Sequence, residues 1–194
     1  APRFGDEKAT RWAEVFNPLS VDPGVDLVLL HPDGSEEVLV KGGDGAVADP
    51  YVSFDGKWVY YVFFHDQTKQ AAWGYPRGGS DIYKINLESR QVVRLTHQER
   101  TQNTGILSDE EARAMPVFNL GPCPAPRGRL TFTSNRNLFE APKTYTRGSF
   151  QLFTMDSADG ANVEMIGYMN LASALHPVIL RDGRVMFSSY ESQA

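Results

Sequence analysis

The sequence predicts an all-β fold, a partial β-propeller of four-stranded antiparallel blades, with two complete blades plus two half-blades belonging to a larger ring. Three observations predict it. Apolar and polar residues alternate with a period of two along many short runs. Tight-turn dipeptides join the runs, at Asp55-Gly56, Asp159-Gly160 and Asp182-Gly183. The pattern also restarts at marker prolines, at Pro50, Pro116 and Pro177.

Residues 1–25 hold Pro2, Pro18, Pro23 and Gly24 and read as an irregular arm, with Trp12 and Phe16 spaced to anchor one helical turn. The propeller segment spans 26–194. Its first half-blade, 26–43, is the hairpin DLVLLHPDG then SEEVLV, matching the outer half of a blade. The first full blade, 47–96, runs DPYVSFDGKWVYYVFF, then SDIYKI, then the strand ending RLT. The second, 115–168, is expected to start its innermost strand at Pro116-Val117-Phe118, with Leu120 to Arg127 as a long turn before Leu130 to Ser134. The last half-blade, 175–190, matches only the inner half of a blade, from His176 through Asp182-Gly183 to Ser189. The halves together make one composite blade. Three blades are fewer than the usual minimum of about four, so further blades are expected to complete the ring.

Length is concentrated in Asp66 to Ser80, His97 to Met115 and Asn137 to Ser149, which the meander places on one face. Ser108-Asp109-Glu110-Glu111 is a capping box and predicts a short helix through Ala114. The expected inter-blade core includes Val52, Val59, Tyr61, Ile82, Ile85, Val117, Leu130, Phe132, Leu152, Val178 and Val185.

Bulk properties exclude some functions. A net charge of −5, with 19 scattered Lys and Arg, argues against nucleic acid as a partner. No apolar run is long enough to span a membrane. Cys123 is alone, so no Cys-x-x-Cys metal or haem motif exists, and no redox or metal role is expected of it. The four His residues show no metal-binding spacing, and there is no G-x-S-x-G elbow. Catalytic, cofactor-binding and metal-ligating residues are therefore assigned to none. Three channel-mouth positions precede the marker prolines, Asp49, Met115 and His176, of which Asp49 and His176 are the candidates to hold a ligand or cation; capping of the strand ends by local hydrogen bonds is the simpler explanation. Candidate interface residues on the loop face are Trp73, Tyr75, Arg77, Tyr145 and Arg147, with Phe139 and Lys143; aromatic and Arg side chains dominate binding hot spots, though the loops could also pack on one another. Ser134-Asn135-Arg136-Asn137 is expected to form an inter-blade hydrogen-bond set.

Pro50-Tyr51-Val52-Ser53-Phe54-Asp55-Gly56-Lys57, Asp81-Ile82-Tyr83, Arg94-Leu95-Thr96 and Phe132-Thr133-Ser134-Asn135-Arg136 resemble the WD40-like repeat of Tol-type periplasmic propellers. The series APRFGD, DLVLLHPDG, SDIYKI, RLTHQE, FTSNRN and LHPVILRDGRVMFSSYE resembles the N-terminal propeller region of the hydrazine-synthase alpha-subunit-like family. That resemblance implies a large exported bacterial protein, periplasmic or otherwise outside the cytoplasm, working in a multi-subunit complex. It also implies c-type haem elsewhere in the parent protein and no cofactor in this segment. The function implied is a non-catalytic scaffold that binds the remainder of its own polypeptide or a protein subunit. Two alternatives are a stand-alone TolB-like protein-interaction propeller and the propeller cap of a serine hydrolase.

Overall fold

The computed structural model describes residues 19, 21–69, 75–101, 110, 114–139, 149–167 and 173–190. Among them stand two four-stranded and two two-stranded antiparallel sheets. The first pair, β1 (Leu27–Leu30) and β2 (Glu36–Val40), is joined by a turn in which Ser35 donates to the Asp33 carboxylate. The first full blade is β3 (Ala46–Val52), β4 (Trp58–Phe64), β5 (Ser80–Asn86) and β6 (Val92–Arg94), paired in chain order. The second is β7 (Asn119–Ala125), β8 (Arg129–Ser134), β9 (Gln151–Asp156) and β10 (Glu164–Met165). The last pair is β11 (Ser173–Ile179) and β12 (Val185–Tyr190).

Blades pack face to face because the central strands turn apolar side chains toward their neighbours. Phe132 and Phe153 stack at 5.7 Å on the face of the second blade that meets Tyr60, Val62 and Ile82 of the first. The opposite face of the first blade carries Val47, Val59, Tyr61 and Ile85, which pack on Leu27 of the half-blade. Gly160 keys the second blade into the first. Its φ is +79°, and a Cβ there would stand 1.9 Å from the Leu95 carbonyl oxygen. From the other side, Lys84 on β5 donates to the carbonyls of Ser157 and Ala158 at 2.8 Å each, with its ammonium over the Trp58 ring.

Most of the expected core is buried, but Val52 and Val178 are not, at 51 % and 36 % exposure, and Val185 is only half-buried. Val52 pairs with Val59 but is the last residue of β3, at the end of the strand away from Val47. Val178 pairs with Met186 at the end of the β11–β12 pair, and both stay exposed, at 36 % and 54 %. The marker proline of the second blade also moves. Its innermost strand starts at Asn119, and Pro122 occupies the place expected of Pro116, so Leu120 to Arg127 is largely strand rather than a turn. Of the expected helix, Glu110 and Ala114 are helical; its other residues, and Trp12 and Phe16, lie outside the described residues.

Candidate functional site

Each innermost strand carries the same irregularity. On β3 the pairing passes from Ala48↔Val62 to Tyr51↔Tyr60, so Asp49-Pro50 together oppose Tyr61. On β7, Gly121-Pro122 oppose Phe132, and on β11, His176-Pro177 oppose Phe187. These are β-bulges, two residues against one. In all three the residue before proline is left-handed, with φ of +49° at Asp49, +56° at Gly121 and +52° at His176. Asp, Gly and His are among the residue types that enter this region most readily. Proline is tolerated because it sits at a bulge on an edge strand, where a missing N–H breaks no ladder bond.

The bulges touch one another across the blades. The Asp49 carboxylate accepts the backbone N–H of Gly121 at 2.9 Å. A Cβ on Gly121 would in turn lie 3.3 Å from Pro177 Cδ and 3.5 Å from His176 Cα. Beside this contact, the Cys123 thiol on β7 and partial burial both push the Tyr51 hydroxyl on β3 above its ordinary value. Met115, which was expected to be equivalent to Asp49 and His176, is instead fully buried against Leu138, and Gly121 takes its place in the series.

A second arrangement lies where the long loops leave the blades. The Asp81 carboxylate, fully buried, accepts His65 Nε2, Arg94 and Thr96 Oγ1 at 2.7 Å each, and the Gln98 backbone N–H at 3.1 Å. Burial alone would raise its pKa. The bonds from His65, Thr96, Arg94 and Gln98 outweigh burial and hold it at about 2. Next to it, Asn119 donates to the Ser80 carbonyl at 3.0 Å and accepts from Ser134 Oγ and Arg136. Asn119 thus joins the two blades through polar groups, whereas Ser134 and Arg136, of which an inter-blade hydrogen-bond set is expected, bond to Asn119 within their own blade. Arg136 is buried over the rings of Phe132 and Phe153, at 5.2 and 5.7 Å. Its Nε, the Ser149 hydroxyl and the Gln151 amide nitrogen have no hydrogen-bond partner among the described residues.

The structure places the remaining candidates as follows. Tyr75 is half-buried, its ring 5.9 Å from Phe118, and Arg77 is exposed on the same loop. Phe139 is half-buried, while Trp73, Lys143, Tyr145 and Arg147 lie outside the described residues. Sequence reasoning missed Asp81 as the centre of the polar layer. The signal was present in the spacing of Asp81 to Arg94-Leu95-Thr96, which the first blade uses to tie β5 to the residues around β6.

Chemically, the site holds and aligns. Among the described residues no group of three His, Cys, Asp or Glu side chains is placed to hold a metal ion. Cys123 is buried without a second thiol, so these residues do not fit covalent attachment of a c-type haem. No helix among the described residues is long and apolar enough to cross a membrane.

No family model matches the chain, and no curated protein matches it. Solved structures do. TolB from Acinetobacter baumannii superposes with a TM-score of 0.52 at 19% identity, covering 84% of this chain and 31% of that one. A putative TolB from Agrobacterium tumefaciens gives a TM-score of 0.52 at 22% identity, covering 87% of this chain and 51% of that one. The chain thus spans a third to a half of the proteins it resembles. With blades, pairing order and neighbours in agreement, the chain has a TolB-like β-propeller fold.

Proposed function

We propose that the chain is a non-catalytic protein-binding scaffold, a propeller segment whose open blades are completed by the remainder of a larger exported bacterial protein. One observation carries this reading: the two half-blades are complementary and both incomplete. The β1–β2 pair is an outer half and the β11–β12 pair an inner half, and each leaves apolar side chains uncovered, with Leu30 at 68 % and Met186 at 54 % exposure. Strand edges and apolar faces of this kind are covered in natural proteins. The greater length of the TolB chains supports a longer parent. The multihaem, hydrazine-synthase-type context rests on the sequence resemblance. In that context the haem belongs to other parts of the parent and this segment docks them.

The test compares residues 1–194 with the full-length polypeptide. The full-length protein should unfold cooperatively, whereas the segment alone should aggregate or unfold without a sharp transition. A soluble segment that unfolds cooperatively as a monomer would overturn the reading. A Soret band from covalently held haem in the full-length protein would support the redox context, and its absence would remove it.

A further inference from the structure

The bulges form a series, and the series has an open end. Asp49 holds the bulge of the next innermost strand by accepting the Gly121 N–H at 2.9 Å. Gly121, without a side chain, leaves room for the third bulge, whose His176 Cα would lie 3.5 Å from a Cβ built at Gly121. His176 is the third member, also left-handed and also before proline, and its side chain is exposed. The face of β11–β12 beyond it carries the uncovered Val178 and Met186.

We propose that His176 is the docking residue for a further blade of the same polypeptide, outside residues 1–194, whose innermost strand carries its own left-handed residue-proline bulge. This rests on the scaffold reading above and names the element that covers the open face. The occupant follows from continuity. The contact of β3 with β7 is followed by that of β7 with β11, and β11 carries the same left-handed residue-proline bulge at the same place in the strand as β3 and β7. The imidazole takes the part of the Asp49 carboxylate and accepts the bulge N–H of the incoming strand through an unprotonated ring nitrogen. An apolar side chain at 176 would offer no acceptor, and protonation of the ring would remove the one it has.

The experiment is hydrogen exchange on the full-length polypeptide, comparing wild type with His176→Gly and His176→Asp. Glycine keeps the left-handed backbone without strain and removes the acceptor; aspartate restores the group used at position 49. His176→Gly should speed exchange of the amides of 173–180 by about five- to tenfold, the effect of one lost hydrogen bond, and His176→Asp should leave it near wild type. Protected β11 amides that respond equally to both substitutions, or to neither, would overturn the role of His176 and leave the scaffold reading standing. Unprotected β12 amides, or protection that appears only with concentration-dependent dimerisation, would overturn the occupant and the scaffold reading together.

Discussion

Arg94 donates to the Asp81 carboxylate at 2.7 Å, joining a partly exposed guanidinium to a fully buried acid. Five more donors converge on the same carboxylate, from His65, Thr96, the Gln98 backbone and side chain, and Asn119, so the charge is satisfied on every side. Asp81→Asn would turn an amide N–H toward groups that are themselves donors. Removing one partner of a buried charged set is expected to cost about 3–5 kcal/mol, read as a lowered denaturant midpoint with unchanged slope in the full-length protein.

The same residue sets a pH dependence. Its folded pKa of about 2 lies below the ordinary 3.8, so the acid binds its proton more readily in the unfolded chain. The stabilisation is therefore complete above about pH 4 and is lost as pH falls toward 2, amounting to about 2 kcal/mol. Titrating stability from pH 5 to 2 should show the wild type losing its advantage over Asp81→Asn across that interval.

Asp49 combines a bond with a backbone constraint. Asp49→Ala loses the acceptor for the Gly121 N–H and places alanine at a φ of +49°, which together should cost about 2–3 kcal/mol. Asp49→Asn keeps both an oxygen and tolerance of the left-handed region, and thermal unfolding should place it within about 1 kcal/mol of wild type.

Gly160→Ala should be severe. Both the φ of +79° and the Leu95 carbonyl at 1.9 Å from the added methyl oppose it. Backbone cannot yield as a side-chain tip can, so the β9–β10 turn must lift from the first blade. A loss of about 3 kcal/mol or more is expected, together with faster hydrogen exchange at Leu95.

Phe132→Ala empties the centre of the contact between the blades and removes a ring that Arg136 also covers. About 3–5 kcal/mol is expected, measured by chemical denaturation. A cost near zero would show that the blade faces do not meet as described.

Strands were legible because alternation and turn dipeptides are local. Asp55-Gly56 and Asp182-Gly183 mark turns where the chain does turn. Pro116 was misread as a blade start because proline was expected at the beginning of a strand. The structure uses it within the strand, at Pro50, Pro122 and Pro177, where a bulge on the innermost, edge strand removes its usual penalty. Gly121-Pro122-Cys123-Pro124 therefore looked like a turn. The bulge also shifts the alternation, so that Val47 and Val52 share one face despite their odd and even positions. The Asp81 layer was hidden for another reason. Its members come from strand ends and loops scattered from His65 to Asn119, and only the packed blades bring them together.

The two-against-one pairing at Asp49-Pro50 separates weaving a sheet from aiming it. A chain shortened by Pro50 would keep Ala48 opposite Val62 and Tyr51 opposite Tyr60, with Tyr61 facing one residue instead of two. The fabric of the blade would be unchanged. What would disappear is the elbow that turns Asp49 out of its own sheet toward Gly121. The extra residue is thus a joint between units, so loss of that one residue could let every blade form while leaving them out of line.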